Sequence, residues 1–320
     1  MIKKIILLSG DPNSINSELI FKSWKKINNT LKKKIYLISN YNLINKQFKK
    51  LNYIIETIKV KNIDDKINTN KLKILNVDLN SKKTFDISKK LASKFIKESL
   101  DLAHELASTK KGCGIINCSI DKKLLNKKNI GVTEYLSLKC GINDKSETML
   151  IFNKKLAVSP ITMHDDLRNI SKKITKKKII IKVKIINKWY KKYYNLTPKI
   201  GILGLNPHNA ELRKNSEEKK IIVPAITDLK KMKININGPY VADTFFIKDF
   251  KKFDIIIGMY HDQVLTPFKT LYKFNAINIT LGLPYIRISP DHGVAKNIIG
   301  KDKADTTSLI NCLKFINSHK

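Results

Sequence analysis

The chain has 320 residues and a formal net charge of +35, and 42% of its residues are hydrophobic. This length favours one large or two medium domains, and the apolar content excludes a disordered chain. Of the 62 basic residues only Arg168, Arg213 and Arg287 are arginines, whereas nucleic-acid readers depend on arginine forks with aromatics among them. We interpret the charge as a solvated lysine-rich surface and expect no nucleic-acid partner. A basic nucleic-acid-binding protein is the remote alternative.

The sequence pattern predicts neither a membrane-spanning helix nor an export signal. No stretch approaches the ~18 uninterrupted apolar residues of a membrane-spanning helix. The first apolar run, Ile5–Leu8, is too short for a signal peptide and fits a β-strand. None of the cysteines is paired in a CxxC motif; they are Cys113, Cys118, Cys140 and Cys312. We therefore expect reduced thiols, a cytoplasmic location and no membrane partner.

Strand-like and helix-like segments alternate along the chain. In the first half, apolar periodicity predicts strands at 3–9, 33–39, 72–78 and 114–119, and a helix over 86–108 that Asp86 caps. In the second half it predicts strands at 148–153, 155–160, 199–208, 253–262 and 275–284, a basic helix around 165–195 and a closing helix near 303–317. Such alternation predicts an α/β fold with a largely parallel sheet.

Three of the six histidines close strand-like segments in the same way. His164 ends "KLAVSPITMH", His208 ends "KIGILGLNPH" and His261 ends "FDIIIGMYH". If these strands share one parallel sheet, the imidazoles lie along the edge where α/β sheets bind ligands. Three neutral imidazoles with an open fourth position form a catalytic divalent-metal site, for which zinc is the usual occupant. Simple hydrogen bonding remains the alternative for each histidine. His104, inside a helix, and His319, at the C-terminus, are not expected to be functional.

Longer motifs carry a resemblance to a known family. They are "GDPNSINSE", "GVTEYL", "SPITMHDDLRNI", "GLNPHNAE", "NGPYVADTFF", "MYHDQVLTPFK", "NITLGLPYIRISPDHG" and "GKDKAD". In order and spacing they resemble the 4-hydroxythreonine-4-phosphate dehydrogenases, enzymes of vitamin B6 biosynthesis. The resemblance runs from residue 9 to about 312 and is densest after residue 130.

The resemblance implies an α/β fold like that of isocitrate and isopropylmalate dehydrogenases, with two α/β/α domains flanking a cleft. The N-terminal domain is expected at 1–130, joined by the C-terminal helix at about 303–320. The metal- and substrate-binding domain is expected at 131–302. The resemblance also implies a homodimer whose active sites are each completed by the partner subunit.

The resemblance further implies roles for individual residues. It places His164, His208 and His261 on a divalent metal, zinc with magnesium or cobalt as alternatives. It places Lys269, Asn278 and Arg287 on the substrate, with Thr133 at its phosphate end. Beside these, we interpret Asp243 and Asp262 as residues that orient ligands or move protons. We expect Asp291 and His292 to approach the dinucleotide, with Gly293 allowing close backbone approach. A structural ion pair remains the alternative for Arg287, and a helix cap the alternative for Asp243.

The implied reaction is oxidation of 4-phosphooxy-L-threonine at its C3 hydroxyl by NAD or NADP, followed by loss of CO₂ to give 3-amino-2-oxopropyl phosphate. The alternative substrate is a related four-carbon sugar-acid phosphate, threonate or erythronate 4-phosphate. Three motifs depart from the family pattern. Val132 stands where the family has histidine, "GDPNSINSE" replaces "GDPAGIGPE", and "NPHNAE" replaces "NPHAGE". Val132 thus removes a basic contact expected for the phosphate.

Overall fold

The computed structural model describes residues 4–64, 67–109, 114–125, 131–142 and 147–318. Lys3, at the start of the first predicted strand, lies outside these ranges, as do Cys113 and His319. The chain forms two compact units, which we call unit 1 (residues 1–145 and 283–320) and unit 2 (residues 146–282). The domain limits at 130 and 302 stay a prediction.

The strands of the described residues are, in chain order, β1 Ile5–Leu8, β2 Ile35–Ser39, β3 Thr57–Val60, β4 Leu72–Asn76, β5 Ile115–Asn117, β6 Thr148–Phe152, β7 Ala157–Pro160, β8 Ile200–Leu203, β9 Ile236–Tyr240, β10 Ile255–Gly258, β11 Ile277–Leu281 and β12 Arg287–Pro290. The α-helices are α1 Asn16–Lys26, α2 Asn29–Lys32, α3 Tyr41–Lys50, α4 Lys89–Ser108, α5 Val132–Lys139, α6 Ile170–Lys173, α7 Lys176–Tyr194, α8 Val223–Lys231, α9 Ala242–Phe245, α10 His261–Tyr272 and α11 Thr307–Ser318.

Unit 1 is built on parallel strands in the order β3-β4-β2-β1-β5-β12. β1 and β2 are buried on both faces, as strands covered by helices on both sides must be. Helix α4 packs on this sheet through Ala92, Phe95, Ile96 and Ala103. The core of unit 1 therefore fixes the strand ends from which its loops emerge.

Unit 2 has the strand order β11-β6-β7-β10-β8-β9. Strands β7, β10, β8 and β9 are parallel, whereas β6 runs antiparallel to both β7 and β11. The isoleucines of β10 are fully buried, as the apolar run predicts. The predicted largely parallel α/β architecture is thus confirmed, with β6 as an antiparallel strand within unit 2.

The structure corrects several local predictions. Asp86 does not cap α4: the cap is Ser88, whose side chain accepts a hydrogen bond from the N–H of Leu91, while Asp86 adopts a left-handed backbone with φ of 61°. Asp and Ser are comparably good caps, so local sequence does not rank them. The basic helix begins at Lys176 rather than near 165, because Thr175 caps it. Strands β3, β9 and β12 were not predicted, since each lacks a continuous apolar run.

Among the residues that the structure describes, no helix is long and apolar enough to cross a membrane.

Candidate functional site

The three histidines follow three neighbouring strands of unit 2. β10 pairs in parallel with β7 on one side and with β8 on the other. His164 comes four residues after β7, His208 five residues after β8, and His261 three residues after β10. The expectation that these segments belong to one parallel sheet is confirmed, and the carboxyl ends of the three strands lie at the same edge.

His261 is the most constrained of the three imidazoles. It opens helix α10, and its Nδ1 lies 2.6 Å from the Oδ1 of Asp262. This contact leaves Nε2 as the nitrogen available to a ligand. The ring of His164 lies 5.7 Å from that of His261, centroid to centroid. These two imidazoles are therefore neighbours at the strand ends.

His208 lies on an unusual stretch of backbone. Residues 208–212 all have positive φ, between 48° and 56°, and none of them is glycine. Asn209 holds this segment by donating from Nδ2 to the carbonyl of Pro239 at 2.9 Å. L-residues in the left-handed conformation are strained by about 1–2 kcal/mol each. Strain of this kind persists only where the surroundings over-determine it, and it clusters at functional sites.

Asp243 lies beside His208, with its Oδ2 3.8 Å from the Nε2 of the ring. Both side chains are largely exposed. Asp243 is inside helix α9, whose cap position is Val241, and α9 has no side-chain cap hydrogen bond. The alternative of a capping role for Asp243 is therefore wrong.

The donor chemistry of this edge fits a divalent metal. The side chains that would hold it are the imidazoles of His164, His208 and His261, with Asp262 orienting the last of them. As placed, no group of three His, Cys, Asp or Glu side chains within the described ranges is close enough to hold a metal ion. Which residues bind a metal stays a prediction.

Two predicted substrate contacts also belong to unit 2. Lys269 is exposed in the last turn of α10. Asn278 is on β11, opposite Ile151 in the antiparallel register. Its Oδ1 is buried and has no hydrogen-bond partner among the described residues. A buried acceptor without a donor is costly, which favours a ligand contact at Asn278.

The other predicted substrate contacts belong to unit 1 and form a compact cluster. Arg287, at the start of β12, is only 4% exposed. Its Nε donates to the Oδ1 of Asn117 at 2.8 Å, and its Nη1 donates to the Oγ1 of Thr133 at 3.1 Å. Burial lowers the pKa of Arg287 to about 10, although the nearby Glu134 carboxylate acts to raise it. The guanidinium therefore remains a buried cation at neutral pH, fixed by two neutral acceptors.

The segment expected near the dinucleotide follows β12. Ser119 Oγ donates to the carbonyl of His292 at 2.7 Å and lies 2.8 Å from its Nδ1. Nδ1 also lies 3.0 Å from the carbonyl oxygen of Gly293, which can only accept; this favours the tautomer with the proton on Nδ1 and leaves Nε2 as an acceptor. Nε2 is buried and meets no partner in the described part of the chain, and burial lowers the pKa of His292. The backbone N–H of Asp291 donates to Ser308, and the space beside Gly293 is open.

Sequence reasoning missed Asn117 and Ser119, which orient Arg287 and His292. Both lie at the carboxyl end of β5, in the segment "GIINCS" that was predicted only as a strand. The sequence pattern that could have identified them is a short apolar run that ends in polar residues. The same pattern identified His261.

Comparison with known proteins gives a consistent result. The family model described as pyridoxal phosphate biosynthetic protein PdxA matches residues 20–316. A protein of Sulfurihydrogenibium sp. (strain YO3AOP1) is 38% identical over 322 residues, covering 98% of this chain and 97% of its own length. One of Aquifex aeolicus (strain VF5) is 34% identical over 322 residues, covering 99% and 98%. Both are named 4-hydroxythreonine-4-phosphate dehydrogenase.

Solved structures with the same name share the fold. That of Klebsiella pneumoniae has a TM-score of 0.84 at 24% identity and covers 98% of this chain and 99% of its own. That of Burkholderia phymatum has a TM-score of 0.81 at 25% identity and covers 100% and 99%. The predicted isocitrate dehydrogenase-like fold is thereby confirmed.

Proposed function

Because this chain belongs to the family of pyridoxal phosphate biosynthetic protein PdxA, we propose that it oxidises 4-phosphooxy-L-threonine at C3 with NAD⁺ or NADP⁺. The resulting β-keto acid loses CO₂ and gives 3-amino-2-oxopropyl phosphate. The family is one of oxidoreductases that act in pyridoxal phosphate biosynthesis. The observation that carries the catalytic part of the proposal is the succession of His164, His208 and His261 at the ends of three adjacent parallel strands.

Two groups from outside the chain complete this chemistry. When bound, the nicotinamide supplies the hydride acceptor, and a divalent cation, zinc in the first instance, supplies a Lewis acid for the substrate oxygens. In the proposal His164, His208 and His261 hold the cation, and Asp262 keeps the Nδ1 proton of His261 in place so that Nε2 faces the ligand. Asp243, exposed beside His208, takes the proton released from the C3 hydroxyl.

The substrate's anionic groups require fixed cations. Arg287 offers a planar guanidinium, whose fork suits a carboxylate or phosphate better than lysine does. Asn117 and Thr133 orient this guanidinium, so that it can present its fork to an anionic group of the substrate. We assign Thr133 to the phosphate end and Lys269 and Asn278 to the remaining polar groups of the substrate.

His292 is our candidate for the dinucleotide contact, together with Asp291 and Gly293. Its buried Nε2 is an acceptor that needs a donor, and a hydroxyl or amide of the dinucleotide supplies one. The open space beside Gly293 suits close approach of a ligand to the backbone. The family resemblance also supports a homodimer, which light scattering of the purified protein tests.

The proposal is tested by NADH formation with 4-phosphooxy-L-threonine and, in parallel, with threonate and erythronate 4-phosphates. We expect the first substrate to be preferred; a higher kcat/KM with a sugar-acid phosphate would overturn the substrate assignment.

Alanine substitution of His164, His208 or His261 tests the assignment of the metal ligands. Each should abolish turnover while leaving the circular dichroism spectrum unchanged, because each removes one of three metal ligands. The metal content of each variant after dialysis is the second measurement. A variant that keeps both its metal and its turnover removes that histidine from the site.

A further inference from the structure

The side chain of Gln263 joins the two strand ends that lead to His208 and His261. Its Oε1 accepts from the N–H of Met259 at 2.6 Å, directly after β10. Its Nε2 donates to the carbonyl of Gly204 at 2.7 Å, directly after β8. An amide presents a donor and an acceptor side by side, as a peptide group does. Gln263 therefore adds one further rung between β8 and β10, where the backbone ladder has ended.

Glu218 holds the same segment from its other side. Its Oε1 accepts from the backbone N–H groups of Leu205 and Asn206, each at 2.8 Å, and the carboxylate also accepts from the side-chain amide of Asn206. Glu218 is 0% exposed. Burial acts to raise the pKa of this carboxyl, but the hydrogen bonds from Asn206 and Leu205 outweigh it, so the pKa is lowered. A buried carboxylate thus fixes the turn just before Pro207 and His208.

The hydrogen bonds of Gln263 and Glu218 are not needed to form the β-sheet. The β8–β10 pairing is complete without Gln263, since residues 200–202 and 255–257 already form the ladder. Gln263 and Glu218 instead fix Gly204 to Asn206, the link between the buried strand and the strained segment at 208–212. The strained segment can keep His208 in one position only if the residues that precede it are themselves fixed.

We propose that Gln263 and Glu218 are positioning residues that fix the separation of His208 and His261 for metal binding. Gln263 sets the spacing of the two strand ends, and Glu218 sets the direction in which the chain leaves β8. This inference rests on the proposed metal site. Its consequence is that losing either anchor weakens metal affinity without removing a ligand.

The experiment is a titration of the metal-free full-length chain with Co²⁺, followed by visible absorbance and by competition with a chelator. Gln263→Leu removes both hydrogen bonds, and Gln263→Glu keeps the acceptor for Met259 but sets a carboxylate oxygen against the carbonyl of Gly204. Glu218→Gln keeps one oxygen for the backbone N–H groups of Leu205 and Asn206, but it removes the negative charge and sets an NH₂ group against the side-chain amide of Asn206. We expect each variant to bind Co²⁺ about 10–100-fold more weakly, the usual effect of losing an outer partner of a metal ligand. The Co²⁺ absorption band should change in shape as well.

The matched control is Gln47→Leu. Gln47 is a buried glutamine of unit 1 whose Nε2 likewise donates to backbone carbonyls, those of Pro12 and Thr84. The Gln47→Leu variant should lower the melting temperature, as Gln263→Leu does. It should leave the Kd for Co²⁺ and the absorption spectrum of bound Co²⁺ unchanged. His261→Ala completes the set and should lose tight binding.

Two outcomes overturn the inference in distinguishable ways. If Gln263→Leu, Gln263→Glu and Glu218→Gln bind Co²⁺ like the wild type while His261→Ala does not, positioning is wrong and the metal site stands. If His261→Ala binds Co²⁺ as tightly as the wild type, the proposed metal site is wrong and the inference falls with it.

Discussion

The two units hold their functional candidates in opposite ways. In unit 1, Arg287 is 4% exposed on a strand, and two side chains fix its guanidinium. In unit 2, His208 is 72% exposed and Asp262 79% exposed, and both come after strand ends. A side chain on a buried strand is oriented by the core itself. A side chain beyond a strand end needs separate anchors, and a ligand to complete its contacts.

This difference also separates stability from function. Arg287 is a buried cation, and its desolvation opposes folding. The exposed histidines of unit 2 contribute little to folding because water solvates them. Residues kept for binding are often those that stability alone would not select. We therefore expect substitution of the buried candidate in unit 1 to affect both stability and activity. Substitution of the exposed histidines in unit 2 should affect activity with little change in stability.

The largest effect is expected at Arg287. Arg287→Met should reduce kcat/KM about 100-fold or more, because two charge-assisted hydrogen bonds are worth about 1.5–3 kcal/mol each. The same variant should change the free energy of unfolding by about 1 kcal/mol or less, since relief of the desolvation cost is offset by leaving the buried Oδ1 of Asn117 without its donor. His208→Ala, its counterpart in unit 2, should change stability by less than about 0.5 kcal/mol.

Urea denaturation and steady-state kinetics of both variants measure these expectations. A loss of stability in Arg287→Met with kcat/KM retained would mean that Arg287 serves a structural ion pair, the alternative that the sequence left open.

Lys73 of unit 1 tests the cost of a buried cation without any ligand. It is 1% exposed, its Nζ donates to the carbonyl of Lys33 and lies over the ring of Tyr36, and burial, with Lys4 nearby, lowers its pKa to about 8. The unfolded value is near 10.4, so between these pH values the unfolded chain binds more protons and stability rises with pH. Relative to Lys73→Met, the wild type should gain about 1–3 kcal/mol from pH 7.5 to 10.5.

Denaturant midpoints of the two proteins across that range provide the measurement. A difference that stays constant with pH would show that Lys73 keeps its proton throughout.

Val132 tests whether unit 1 binds the substrate phosphate weakly. Its side chain packs, half-buried, against the apolar core beside Thr133. Val132→His restores the family's imidazole and should lower KM about tenfold with kcat nearly unchanged, on the scale of one charge-assisted hydrogen bond. A contact made equally in ground and transition states changes KM rather than kcat. Kinetics over a range of substrate concentrations decide: an unchanged or higher KM means that another group, such as a nearby lysine, already fills this role.

The sequence predicted those features that local patterns encode. The strand ends at His164, His208 and His261 were found because apolar runs end abruptly in polar residues. The burial of Arg287 was not found, because its partners Asn117 and Thr133 are 170 and 154 positions away in the chain. The anchoring of the Gly204 turn by Glu218 was missed for a similar reason: one glutamate in "NSEEKK" reads like any surface residue. Local sequence thus located the candidate ligands, and only the fold located the residues that hold them.

The smallest effect is expected in the strained segment of unit 2. Glu211 is exposed with φ of 51°, and Glu211→Gly relieves about 1–2 kcal/mol of left-handed strain while adding about 0.4–1 kcal/mol of unfolded-state entropy. The free energy of unfolding should therefore rise by about 0.5–1 kcal/mol. If strain helps to present His208, turnover should fall about two- to threefold as the segment loosens. Lys233→Gly is the matched control, since Lys233 is exposed with φ of 58° just after α8, and it should gain similar stability without losing turnover. Equal turnover in the two variants would show that the left-handed backbone at 208–212 plays no part in presenting the histidine.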